Sequence, residues 1–384
     1  MHNAFPITDP VGPVQFAMPD AVSVIGRLIA PEAANVDREG VPRSHWDLLA
    51  REELMPVGRT LTETREITEL LAGSDASTWF CWAQHASPTT LMAGAESTGE
   101  NPNIDELRRD YLPGLQSGAV LAATAFAHVR RPGPANPVAT RQSHGWRVTG
   151  TLDWVTSWDI ADVVQIMVRG SGPDANRFLC FLMSTHEQIR GLSVGPPLQL
   201  LAMSGTHTRP IALDDLQVNI DQVIAVLDVA TWQRQDAYRT AQATPAIFGL
   251  IRAGIAELQV MTERGRPDQQ LVDLVEQAVL DCRQLRMQAY ELTDHGDASA
   301  SGVQRALHLR AAALDLAVQV ATSVVTQRAG AAMLTGCSAE RRLRETMFLQ
   351  VQAQTAATRQ AMATLSLHRL RGIGSTLGTE TVVP

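Results

Sequence analysis

Residues 145–166 read GWRVTGTLDWVTSWDIADVVQI. Apolar and polar side chains alternate along most of this run, Gly150 interrupts it, and a second β-branched run follows, which predicts a Trp-centred hairpin. The same period of two recurs in DVVQIMV, RFLCFLM and IALDDLQVNI, with Gly, Pro, Asn and Asp between the runs. Several short strands between about 118 and 225 therefore form a compact β unit. On both sides the apolar period is three to four, from about 18 to 116 and from about 229 to 370. The order is helices, then a sheet, then helices, which predicts an α+β, mainly α chain in three units: 1–117, 118–227 and 228–384. Residues 67–94 are apolar on more than one face, as befits a helix or a helix pair inside a bundle. The final GIGSTLGTETVVP is expected to be a weakly ordered tail.

Composition narrows the function. The 384 residues are 45% hydrophobic and 19% charged, enough for two or three packed units and unlike a disordered chain. A net charge of -8 leaves no basic surface for a polyanion, so nucleic acid is not expected as a partner. No basic apolar leader and no uncharged apolar run of membrane length is visible, and the expectation is a cytoplasmic protein with no membrane partner. Cys81, Cys180, Cys282 and Cys337 stand far apart, which predicts reduced, mostly buried thiols.

Several motifs, in a common order, resemble the acyl-CoA dehydrogenase superfamily, which includes the related two-component flavin monooxygenases. REGVPRSHWDLLAREELMPV at 38–57 looks like the family's first Gly-x-Pro segment, and YLPGLQSGAVLAATAF at 111–126 looks like its entry into the β domain. The opening stretch, with its Trp-x-Thr and terminal Ala-Asp, is similar to the family's flavin hairpin, and LLAMSGTHTRPIALDDLQV at 200–218 to the hairpin that follows. The resemblance implies an N-terminal helical domain, a middle β-barrel-like domain, a C-terminal four-helix bundle and assembly as a homodimer or homotetramer. It further implies FAD, with FMN as the alternative, a small-molecule substrate such as an acyl-CoA, and a flavin reductase or electron-transfer flavoprotein as redox partner.

On a strand, residues i and i+2 share a face, so Trp154 and Thr156 can meet one ligand together. By resemblance that ligand is the flavin ring, with Ser157 beside it and Thr124 and Phe126 on the first strand meeting the same ring. The resemblance also assigns Arg266, Gln327 and Gly330 to the pyrophosphate or adenine, although QRAGAAM keeps only part of the family's Gly-rich pattern and Gln269-Gln270 replace its Phe-Gly. The plainer structural roles are a core aromatic for Trp154 and strand-edge hydrogen bonding for Thr156 and Ser157.

Dehydrogenation of an acyl thioester needs a carboxylate within reach of the acidic carbon. The segment that holds the family's usual Glu reads Gln352-Ala353-Gln354-Thr355 here, so that base is replaced by Ala353. Asp236, in WQRQDAYRTAQATPAIFG, is the candidate for a relocated base; its plainer role is a solvated helix residue. SDASTWFCWAQHA resembles the pocket-lining segment of the flavin monooxygenases and makes His85 a catalytic candidate, with His207 a second; the plainer role for His85 is a satisfied helix histidine. The expected activity is flavin-dependent oxidation of an acyl thioester or similar small molecule. The alternatives are hydroxylation by reduced flavin and dioxygen, or a non-catalytic subunit of a hetero-oligomer.

Overall fold

The structure is a computed structural model and describes residues 18–263 and 268–377. The N-terminal unit holds helices α1 (Pro19–Val24), α2 (Ala33–Glu39), α3 (Arg43–Arg51), α4 (Leu61–Ser74), α5 (Ala76–Gln84), α6 (Ala86–Ala93) and α7 (Ile104–Ser117). Local chemistry sets their ends. Thr60 and Glu63 close a reciprocal capping box at the start of α4, and Asp75 both ends α4 and caps α5 by accepting from the Ser77 N–H at 3.1 Å. The segment that is apolar on several faces is thus three short helices broken at Asp75 and His85.

Eight strands follow: β1 (Ala122–Ala125), β2 (Val138–Gln142), β3 (Gly145–Val155), β4 (Val163–Gly170), β5 (Arg177–Ser184), β6 (Leu192–Val194), β7 (Arg209–Asn219) and β8 (Val223–Asp228). They form one sheet in the order β6-β7-β3-β2-β4-β5-β8, with β1 paired in parallel to β4. Trp146, Val148, Leu152 and Val155 of β3 point into the core, as their alternation predicts. Between Leu152 and Val155 the register against β7 shifts, because Leu152 pairs with Ile211 while Val155 pairs with Arg209. One extra residue is accommodated there, and a bulge of this kind re-aims side chains.

The C-terminal unit comprises α8 (Val229–Ala241), α9 (Pro245–Glu263), α10 (Gln269–His295), α11 (Ala300–Arg328), α12 (Ser338–Val351) and α13 (Ala356–Leu377). Helices α9 to α12 pack together as the expected bundle. Helix α11 is long and apolar enough to cross a membrane by length and composition, yet half of it is buried among its neighbours in the bundle. The GIGSTL of the expected tail belongs to α13, which runs on to Leu377 through Gly372 and Gly374, while 378–384 lie outside the described residues.

One core cluster runs through all three units. Where α4 meets α9, Gly249 lets the backbones approach: a Cβ there would lie 2.3 Å from the Glu69 carbonyl oxygen and 2.9 Å from its Cα. Gly249→Ala is expected to lower stability by roughly 1–3 kcal/mol through forced separation of the helices. Gly330→Ala, with open space around it, should stay within about 0.5 kcal/mol. Urea unfolding of the two variants checks this; equal midpoints would show that the α4–α9 approach is not tight.

Candidate functional site

The bulge in β3 decides where Trp154 goes. Val155 is fully buried, but Trp154 is 50% exposed and stands in the wall of a cavity of about 560 Å³. Thr124 of β1, Phe126 just after it, and Thr156 line the same cavity, so four of the residues expected to share one ligand are brought together. More of the wall comes from Phe80 and Gln84 of α5, residues 200–208, and the end of α12 from Met347 to Ala353 beyond it. Phe80 and Phe348 meet edge to face at 4.9 Å and join α5 to α12.

The polar atoms of this wall are few and ordered. The Thr206 hydroxyl donates to the Met203 carbonyl at 2.7 Å, so its 2.8 Å contact with Thr208 must be accepted from the Thr208 hydroxyl. A hydroxyl carries one proton. Thr156 therefore donates to Thr208 at 3.2 Å and presents only lone pairs to the cavity. The Thr124 hydroxyl is buried with no hydrogen-bond partner among the described residues, so it can donate to a bound group. A flat heteroaromatic ring with donors and acceptors along its edge fits this wall, with Trp154 and Phe126 as its apolar surfaces.

A second cavity of about 510 Å³ adjoins the first and shares Phe126, Arg130, Gln352 and Ala353 in its wall. Trp79, Trp82, Met167, Trp232 and Tyr290 give it apolar surface beside several threonines, and Arg65, Arg130, Arg239 and Arg310 are its only charged residues among those described. No carboxylate lines either cavity among the described residues. Ala353 sits at the seam, in a left-handed conformation with φ 51°.

The remaining expected site residues lie elsewhere. Asp236 is buried and grips Arg130 in a bidentate pair, at 2.8 Å to Nε and 2.6 Å to Nη2, so it orients a wall residue without entering the wall itself. It is no solvated helix residue, because α8 turns it inward. Ser157 is buried outside the cavity wall, its φ of 68° aiming its N–H at the Thr206 carbonyl and its hydroxyl lying beside the Cys81 thiol. Gln327 and Gly330 are exposed at the C-terminal end of α11 and line neither cavity, and Arg266 lies outside the described residues. His207 holds the Val41 carbonyl at 2.9 Å and stands 3.5 Å from Asp159.

His85 is fully buried and lines neither cavity. Its Nδ1 accepts from the Ala122 N–H at 3.0 Å, which puts the proton on Nε2, and Nε2 donates to the Leu115 carbonyl at 2.7 Å. Burial pushes its pKa down to about 4, so the ring is neutral at physiological pH. It joins α5 and α7 to β1, the role of a satisfied structural histidine. Thr206, Thr208 and Arg310 were not found by sequence reasoning. The Thr-x-Thr alternation at 206–208 was the available signal for the first two, and an Arg inside the apolar run of α11 for the third.

No family model matches the chain. A probable acyl-CoA dehydrogenase of Bacillus subtilis (strain 168) is 30% identical over 122 residues, 30% of this chain and 19% of that protein. Cyclohexane-1-carbonyl-CoA dehydrogenase of Syntrophus aciditrophicus (strain SB) is 25% identical over 215 residues, 52% of this chain and 54% of that protein. The chain thus spans about half, or less, of the length of these curated relatives. Among solved structures, butyryl-CoA dehydrogenase from Megasphaera elsdenii superposes with a TM-score of 0.72 at 15% identity, covering 90% of this chain and 96% of that one. KijD3, solved in complex with FMN and dTDP-3-amino-2,3,6-trideoxy-4-keto-3-methyl-D-glucose, superposes with a TM-score of 0.71 at 18% identity, covering 94% and 96%. The chain has the fold of the acyl-CoA dehydrogenase superfamily.

His85 yields a pH prediction. Its folded pKa, about 4, lies below the usual value of 6.5, so the unfolded chain takes up the proton first and stability falls as pH drops from 6.5 toward 4. Across that window wild type should lose roughly 3 kcal/mol more than His85→Gln. Urea unfolding at pH 7.5 and pH 4.5 tests it, and parallel losses in the two proteins would mean that His85 can be protonated in place.

Proposed function

We propose that this chain, built on the acyl-CoA dehydrogenase fold, is a flavin-dependent oxidoreductase. Its flavin ring occupies the Trp154 cavity, and its small-molecule substrate occupies the adjoining Arg310 cavity. The observation that carries this reading is the convergence of Thr124, Phe126, Trp154 and Thr156 on one wall of suitable size and polarity. Once bound, the flavin supplies the redox chemistry; the protein's tasks are to place it, tune it and exclude water. FAD is the cofactor expected from the superfamily: a glutaryl-CoA dehydrogenase of the same fold was solved with FADH2. FMN is the alternative, as in the KijD3 complex. By the same resemblance Gln327, Gly330 and Arg266 would serve the adenylate half of an FAD held between two copies of the chain, and a second copy would cover the exposed Trp154, Met347 and Val351 of the cavity wall.

The walls favour oxygenation over dehydrogenation. Removing an α proton needs a base at the reacting carbon, and the wall offers arginines and an alanine where a carboxylate would stand. Asp236 is committed to Arg130 and would have to break two charge-assisted bonds to serve. Hydroxylation by dioxygen, for which a bound reduced flavin would supply two electrons while the second oxygen atom leaves as water, would need no wall carboxylate, and a flavin reductase would then be the partner. Dehydrogenation of an acyl thioester, with an electron-transfer flavoprotein as acceptor, is the second reading, favoured by the names of the curated relatives. A cytoplasmic setting suits either.

Three measurements test this. Trp154→Ala should weaken flavin binding roughly tenfold or more, about 1.4 kcal/mol, by fluorescence titration; unchanged affinity would remove the ring from this wall. Wild type should bind reduced flavin more tightly than oxidised flavin and should not be bleached anaerobically by a panel of acyl-CoA thioesters. Bleaching by any of them would overturn oxygenation in favour of dehydrogenation. Ala353→Glu returns a carboxylate to the seam between ring and substrate, and it should create bleaching with an acyl-CoA that fits.

A further inference from the structure

The four arginines of the Arg310 cavity differ in how their charge is met. Arg130 is held by Asp236, Arg65 is paired with Asp294 at 2.8 Å, and Arg239 is exposed with Asp236 at 3.8 Å. Arg310 has no carboxylate partner among the described residues. It is 3% exposed, and its Nη1 and Nη2 donate to the carbonyls of Thr240 and Gln352, at the C-terminal ends of α8 and α12. Its Nε has no partner among the described residues. A guanidinium carries five N–H donors, and two carbonyls leave most of them and the full charge unmet. A buried, unpaired charge is costly, and burial together with the neighbouring Arg130 holds the Arg310 pKa down to about 10. The rest of the wall is uncharged: Trp79, Trp82, Trp232 and Tyr290 give it an aromatic part, beside neutral polar residues such as Thr68 and Gln242.

We propose that Arg310 is the anchor of an anion subsite, and that the substrate taken here is a small organic acid whose carboxylate is received at Arg310 while its apolar or aromatic body lies among the tryptophans. A guanidinium matches a carboxylate in shape and charge, and the apolar surroundings strengthen the pair. The anion would supply the counter-charge that the protein omits. Backbone carbonyls at two helix ends hold Arg310 in place from behind, each with only partial negative charge. Arg310 is a binding and positioning residue: its place beside Gln352 and Ala353, which line both cavities, sets the bound acid against the Trp154 cavity. The inference rests on assigning substrate to this cavity and does not depend on which flavin reaction follows.

The test compares benzoate with its neutral isostere benzamide by calorimetry on the purified full-length protein. Benzoate is expected to bind at least tenfold more tightly. Arg310→Met should abolish the preference, and Arg310→Lys, which keeps the charge, should keep part of it. Equal affinity of wild type for the two probes overturns the inference, even where Arg310→Met proves unstable, and so does a preference that survives in Arg310→Met. Flavin titration of the same proteins separates the two proposals. Retained flavin binding without a benzoate preference sinks only the anion subsite, whereas a benzoate preference in a protein that binds no flavin sinks only the flavin reading.

Discussion

The carboxylate of Glu69 is the constraint on which the arrangement of the three units depends. It lies in α4 with no exposure to water, where an ion alone would cost several kcal/mol. Its partners all come from the C-terminal unit: Arg252 of α9, Arg286 of α10 at 2.7 Å, and the Tyr290 hydroxyl at 2.6 Å. With two guanidiniums and a phenol gathered on one carboxylate, α4 can dock on the bundle in a single register, and Gly249 permits the close approach that register requires. The phenol is drawn in as a donor; burial, and then the charge of Glu69, push its pKa well above the usual value, so it stays protonated.

That docking also shapes the cavities. Tyr290 presents its ring to the Arg310 cavity, with the Arg65 guanidinium 4.3 Å above it. Helix α5, separated from α4 by Asp75 alone, carries Trp79 and Trp82 to one cavity and Phe80 and Gln84 to the other. A second tie fixes the sheet. Arg43 of α3 reaches the Asp162 carboxylate at 3.0 and 3.1 Å and the Ile160 carbonyl at 2.9 Å, while Asp162 also accepts from the Leu121 N–H at 2.7 Å. The cavities lie where helices fastened by Glu69 face strands fastened by Asp162.

This division explains what was legible in the sequence. The two periods, near 3.6 and 2, are properties of backbone geometry and could be read directly, and with them the order helices, sheet, helices. The grouping of Trp154 with Thr156 followed from strand alternation. What alternation could not show is that β3 carries an extra residue before Val155, which is why Trp154 reaches a cavity instead of the core. His85 and Asp236 illustrate the harder part. A polar residue in a helix pattern can be catalytic or can satisfy its neighbours, and only the partners decide; here a backbone N–H, a backbone carbonyl and an arginine claim them. Arg310 was hidden for the opposite reason. An arginine inside the apolar run of α11 is a signal of burial, but nothing local shows whether a carboxylate or only carbonyls will meet it.

The chemistry then follows from a difference between charges that are cancelled and one that is not. Arg130 could have faced the substrate as a cation, but Asp236 neutralises it and leaves its guanidinium stacked 4.8 Å from the Phe126 ring, a flat element of wall. Arg310, one residue type and a few side chains away, receives only carbonyls. A carboxylate at position 353 would have supplied both a base and a counter-charge for Arg310. With Ala353 there, the wall has no carboxylate among the described residues and Arg310 keeps its charge unmet. A site so arranged is suited to hold an acid as a ligand more than to use one as a base.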